Sequence, residues 1–152
     1  MLNFGVPQGS VLGPIWFILY TKPLTTLIRQ HSITNQSLAD DTQLYNSCRP
    51  DQIDASVQSM QDCISDVKTW MTANKIELND DKTESLLIAS NRTHFRNPPP
   101  ISIHIGYADI PFSSHARNLG VTLSTNLSMK KHVTNVCRSA YVEICRISNI
   151  HH

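Results

Sequence analysis

Two adjacent aspartates, Asp40 and Asp41, follow Leu38-Ala39 and precede Thr42-Gln43-Leu44-Tyr45. Residues 33–39 and 42–48 can each form a strand, which puts the acids at the bend of a hairpin. Like charges at a tight turn repel, and a divalent cation relieves that repulsion. Carboxylate oxygens are the hard ligands Mg²⁺ takes, with water and phosphate completing its shell. The arrangement suits phosphoryl transfer by two metals, for which a third carboxylate from another strand is expected. Acidic pairs on exposed loops usually carry no function. What singles this pair out is a second run upstream, Gly5-Val6-Pro7-Gln8-Gly9-Ser10-Val11-Leu12-Gly13-Pro14. Its glycines let a ligand approach the backbone closely, Pro7 stiffens the loop, and Gln8 offers an amide that donates and accepts. A helix starting at Ser10 would turn its free N–H groups towards a phosphate. Taken alone, that run is equally a plain loop and cap.

These residues need elements to hold them. A helix is predicted over 10–28, with Pro23 bending or restarting it. Ile53, Val57, Met60, Ile64, Val67 and Met71 step by three or four, which predicts one amphipathic helix over 51–73 with Pro50 in its first turn. The chain should reverse over 76–81 and form a strand over 84–89. Residues 91–100, with Pro98-Pro99-Pro100, read as a linker. Strands are predicted over 101–105, 109–112 and 118–123, with Gly106 turning the first. A last helix over 128–150 carries Val133, Val136, Ala140, Ile144 and Ile147 on one side. Strands in hairpins beside helices make the fold class α+β.

At 152 residues the chain has the size of one ordinary domain with a modest core. Its charge is divided. Residues 1–81 hold five Lys/Arg against nine Asp/Glu, and residues 82–152 hold eight against three. An acidic half and a basic half suit a metal site beside a nucleic-acid flank, although chance divides charge as well. Cys48, Cys63, Cys137 and Cys145 show no zinc spacing and read as reduced structural thiols. Residues 11–20 are apolar but lack a basic lead-in and are too short to span a bilayer, so no signal peptide or membrane segment is expected. The expected location is intracellular, in nucleus or cytoplasm.

The Gly5-to-Pro14 run, followed about one helix and one strand later by Ala39-Asp40-Asp41-Thr42, closely resembles the reverse transcriptases of non-LTR (LINE-type) retrotransposons, nearest their jockey-like and chicken-repeat-like groups. Leu78-Asn79 with Lys82-Thr83-Glu84 resembles the family's lysine-bearing motif. Leu119-Gly120-Val121, Leu127-Ser128 and His132-Val133 resemble its primer-grip region and the entry to its thumb. The resemblance implies an antiparallel palm sheet with helices on one face over 1–123 and the start of a thumb over 124–152. It implies that Asp40 and Asp41 are catalytic and hold Mg²⁺ or Mn²⁺. Gln8 and Gly9 would border the nucleotide and template, and Lys82 would face the triphosphate. Leu119, Gly120 and Val121 would hold the primer. The implied partners are an RNA template, a DNA primer and deoxynucleoside triphosphates.

The departures bear on activity. The family's first catalytic motif, with its own metal-binding aspartate, lies upstream of the Gly5 loop and is not among these residues; nor are the fingers. Asp80 and Asp81 are the nearest substitutes by sequence and read better as turn residues. Leu38 stands where an aromatic is usual, and Ser124 where an acid is common. The expectation is a polymerase fragment with little or no activity alone. A non-catalytic nucleic-acid-binding remnant and a degenerate retrotransposon-derived protein are the competing readings.

Overall fold

The computed structural model describes residues 11–38, 41–79, 82–90, 92–93, 99–105 and 108–150. It is α+β, with three helices and three two-stranded antiparallel ribbons among the described residues. In chain order these are α1 (Gly13–Gln30), β1 (Thr34–Leu38), β2 (Asp41–Tyr45), α2 (Ile53–Ala73), β3 (Ser102–Ile105), β4 (Ala108–Pro111), β5 (His115–Asn118), β6 (Val121–Ser124) and α3 (Lys130–Ile150). A short 3-10 turn, Pro50–Gln52, leads into α2. Each strand pairs with its sequence neighbour: β1 with β2, β3 with β4 and β5 with β6.

The period-3.6 stripe of α2 is where the sequence reading and the fold agree most closely. Its Cys63 and Val67 lie one turn apart and pack on Leu24 and Ile28 of α1 and on Ile33. Val57 and Ile64 turn to the other side, against Ile103, Ile105 and Ile110 of the β3–β4 ribbon; Met60 touches both clusters. Thus α2 is the shared wall of two small cores. Helix α1 runs antiparallel to it. The Tyr20 hydroxyl donates to the Asn74 carbonyl at 2.7 Å, and His31 bonds Asp66 at 2.9 Å near the other end of α1.

Several elements differ from the sequence-based expectation. Helix α1 starts three residues later than predicted, with Leu12 as N-cap and Pro14 in its first turn, and it continues through Pro23 to Gln30. Ser10, the expected cap, lies outside the described residues, as does Gly106. Residues 84–89 form no ladder strand. Ser85 makes one isolated bridge to Phe112, and Ala89 N–H donates to the Thr125 carbonyl at 2.9 Å. The strand expected over 118–123 is instead the end of β5, a two-residue turn at Leu119 and Gly120, and the start of β6. A leucine in a turn hides it from a search for Asn-Gly or Asp-Gly. Among the described residues helix α3 packs chiefly on β6, and Val133, Val136, Ile144 and Ile147 are exposed along it. Among the described residues no helix is long and apolar enough to cross a membrane.

All four cysteines are free, but only Cys63 is a core residue; Cys48, Cys137 and Cys145 are exposed. Burial, and then the negative charge of Asp66, push the Cys63 thiol above its ordinary value. In the native state, maleimide should therefore label three thiols quickly and Cys63 only after unfolding; rapid native labelling of all four would contradict this core. Ile28 is fully buried between α1 and α2. Ile28→Ala should lower stability by about 3 kcal/mol, read from urea unfolding midpoints.

Candidate metal and primer site

The site starts from the β1–β2 ribbon. Leu38 pairs with Asp41, leaving two residues to connect the strands. Asp41 is therefore the first residue of β2, at the hairpin end as the sequence predicts, while Ala39 and Asp40 lie outside the described residues. Side chains alternate between the two faces of the ribbon. One face carries Asn35, Ser37, Thr42 and Leu44. Leu44 packs against the α1–α2 core, and the Asn35 amide donates to Thr25 Oγ1 on α1 at 3.5 Å. Asp41 and Gln43 therefore share the face turned away from α1, with Gln36 and Leu38 opposite them on β1. Asp41 is exposed there, and among the described residues no cation pairs with it.

The β5–β6 ribbon meets this face. Gln43 Nε2 donates to Asn118 Oδ1, and Asn118 Nδ2 donates to Gln43 Oε1 at 3.0 Å, which closes a reciprocal amide pair between residues 75 apart. Asn118 is the last residue of β5. The next two residues, Leu119 at φ 46° and Gly120 at φ 84°, form the turn into Val121. Positive φ at both central positions is the type I′ pattern, whose twist matches that of the flanking strands. Leu119 is exposed despite its size. The preceding residue bonds on another side: Arg117 N–H donates to Glu84 Oε2 at 3.0 Å. Glu84 follows the turn that holds Lys82. Lys82 N–H lies 3.2 Å from both the carbonyl and the Oδ1 of Asn79, and the Thr83 hydroxyl donates to the same carbonyl at 3.0 Å.

Helix α3 is tied to the same ribbon. Ser124 is buried, with its hydroxyl 2.9 Å from Asn126 Oδ1 and 3.0 Å from the Ser128 carbonyl. Thr122 N–H donates to His132 Nδ1 at 3.4 Å. Ser124 thus orders the turn into α3 through hydrogen bonds.

Of the residues singled out from sequence, the structure links the strand of Asp41 to the turn of Leu119, Gly120 and Val121 through the amide pair. It links the Lys82 turn to β5, the strand that leads into the Leu119 turn, through Glu84 and Arg117 N–H. Gln8, Gly9, Asp40, Asp80 and Asp81 lie outside the described residues. Among the described residues no three His, Cys, Asp or Glu side chains converge to hold a metal. Sequence reasoning missed Gln43 and Asn118. Strand alternation, which puts Gln43 on the face of Asp41, was the signal available for the first.

Comparison with known proteins identifies the family. The family model for "Reverse transcriptase (RNA-dependent DNA polymerase)" matches residues 2–123. The chain is 33% identical over 138 residues to "Probable RNA-directed DNA polymerase from transposon X-element" of Drosophila melanogaster, covering 87% of this chain and 14% of that protein. It is 26% identical over 149 residues to "RNA-directed DNA polymerase from mobile element jockey" of the same fly, covering 95% and 16%. The jockey protein of Drosophila funebris is 22% identical over 154 residues, covering 97% and 16%. The chain thus spans less than a fifth of the length of these relatives. No solved structure matches it.

The turn offers a clean stability test. A Cβ at Gly120 would meet nothing within 4 Å, so Gly120→Ala isolates the backbone penalty of positive φ. The expected loss is about 1–2 kcal/mol. Leu119→Asn should raise stability by about 1 kcal/mol in the same urea series, because Asn tolerates the left-handed region better. A loss with Leu119→Asn would show that the leucine side chain packs.

Proposed function

The chain belongs to the reverse transcriptase (RNA-dependent DNA polymerase) family, and from that premise we propose that its residues form the C-terminal palm, over 1–123, and the start of the thumb, over 124–152, of an RNA-directed DNA polymerase of the non-LTR retrotransposon type. Its substrates are an RNA template, a DNA primer and deoxynucleoside triphosphates. One observation carries this reading: Asp41 opens its strand on the ribbon face that α1 leaves uncovered, and the turn of Leu119 and Gly120 is bonded beside that face.

Hard, exposed carboxylate oxygens fit Mg²⁺ or Mn²⁺, so Asp40 and Asp41 are the residues that would hold it. When bound, the ion activates the attacking oxygen and stabilises charge on the leaving phosphate. The residues of this chain do the rest. Gln8 and Gly9 border the incoming nucleotide and its template base. The Lys82 ammonium neutralises triphosphate charge or gives a proton to the departing pyrophosphate. Leu119, Gly120 and Val121 hold the primer end. Two neighbouring acids hold two metals poorly, and no third ligand joins Asp41 among the described residues. On this reading a further carboxylate from beyond the described residues completes the site, and the chain alone is expected not to extend a primer.

A second reading has its own support. Lys130, Lys131 and Arg138 are all exposed on α3, and such a surface binds a nucleic-acid backbone without chemistry.

Replacing the matching segment of the jockey polymerase with this chain tests the proposal. The chimera should extend a DNA primer on RNA, and Asp40→Ala or Asp41→Ala should lower extension by about 100-fold or more. The isolated chain should show no extension above its Asp40→Ala control. Isolated-chain extension lost in that control would overturn the inactivity. A chimera that binds nucleic acid in a salt-dependent way, but never extends a primer, would favour the binding module.

A further inference from the structure

Asp41 and the turn of Leu119 and Gly120 sit on separate ribbons that share no ladder. Among the described residues, the amide pair of Gln43 and Asn118 makes the only hydrogen bonds between those ribbons. We propose that this pair is a positioning device for the polymerase reaction: it sets the spacing and orientation between the metal-facing carboxylate of Asp41 and the turn that presents the primer end. The inference rests on the polymerase reading above and adds Gln43 and Asn118 to it as positioning residues.

Four features support the assignment. Two reciprocal bonds fix an orientation, where one bond would leave a pivot. The levers are short: Gln43 is two residues from Asp41 on the same face, about 7 Å along the strand, and Asn118 directly precedes Leu119. Both side chains are half-buried, so water competes poorly for the pair. Both are also neutral. An ion pair in that place would respond to the arrival of a metal ion and a phosphate backbone; an amide pair keeps its geometry. Strand β5 is pinned on another side by the Glu84 carboxylate on Arg117 N–H, so the same strand also registers the Lys82 turn.

The test uses the length of the pair. Gln43→Asn shortens one arm by a methylene, and Asn118→Gln lengthens the other by the same amount. Each single change breaks the match, and the swap restores the sum. Fe²⁺ serves as the metal probe on the purified chain. With ascorbate and peroxide it generates hydroxyl radicals where it is bound, and the backbone cut sites report what lies beside it.

The native chain should be cut near residues 41–43 and near 118–121, with both sets abolished by Asp41→Ala. Gln43→Asn and Asn118→Gln should each keep the first set and lose the second, and the double swap should recover it. General stabilisation alone does not predict selective loss and rescue of one set of cuts. Unchanged cutting at 118–121 in the single variants, or failure of the swap to restore it, overturns the proposal. So does loss of a cooperative thermal melt in either single variant, which would assign the pair to stability at large. Cuts at 41–43 without cuts at 118–121 in the native chain reject the positioning role and leave the metal reading standing. Absence of both sets removes the metal reading and the positioning role with it.

Discussion

The register of the first ribbon is the constraint on which the site depends. Leu38 faces Asp41, Gln36 faces Gln43 and Asn35 faces Leu44. In that register Leu44 turns into the α1–α2 core while Asp41 and Gln43 turn away from it. A slip of one residue would reverse every side chain. It would turn Leu44 out to water and bring an unpaired carboxylate against apolar side chains, a strongly unfavourable exchange. The apolar anchor of Leu44 and the exposure of Asp41 are thus one fact about a single strand, and the meeting of Gln43 with Asn118 follows from it.

Helix α2 makes that register stable. A two-stranded ribbon is marginal by itself in water. Here the first ribbon leans on the cluster built from α1 and one side of α2, and the β3–β4 ribbon leans on the other side of the same helix. The third ribbon has no comparable apolar support in either cluster. It is held by discrete polar contacts: Asn118 to Gln43, Arg117 N–H to Glu84, and Thr122 N–H to His132. Among the described residues both apolar clusters border α2, while the turn of Leu119 and Gly120 belongs to neither and should open more readily.

What was legible in the sequence follows the same physics. The α2 stripe was readable because six apolar residues at helical spacing admit one interpretation. The bend at Asp41 was readable because strand-forming residues flank it closely on both sides. The turn at Leu119 was not, because leucine at positive φ defies the rule used to find such turns. Residues 84–89 looked like a strand because they are extended; their bonds go to scattered partners instead of a ladder. The link between Gln43 and Asn118 joins residues 75 apart, a pairing that local pattern cannot reveal. The family was legible through motif order, which needs no knowledge of contacts.

The central claim is that the first ribbon turns Leu44 to the helices and Gln43 to the third ribbon. Nuclear Overhauser contacts in the isotopically labelled chain test it most directly. The account predicts contacts from Leu44 methyls to side chains of the α1–α2 cluster, together with contacts between the side-chain amide protons of Gln43 and Asn118. Contacts from Gln43 to that cluster, with Leu44 turned to solvent, would contradict it.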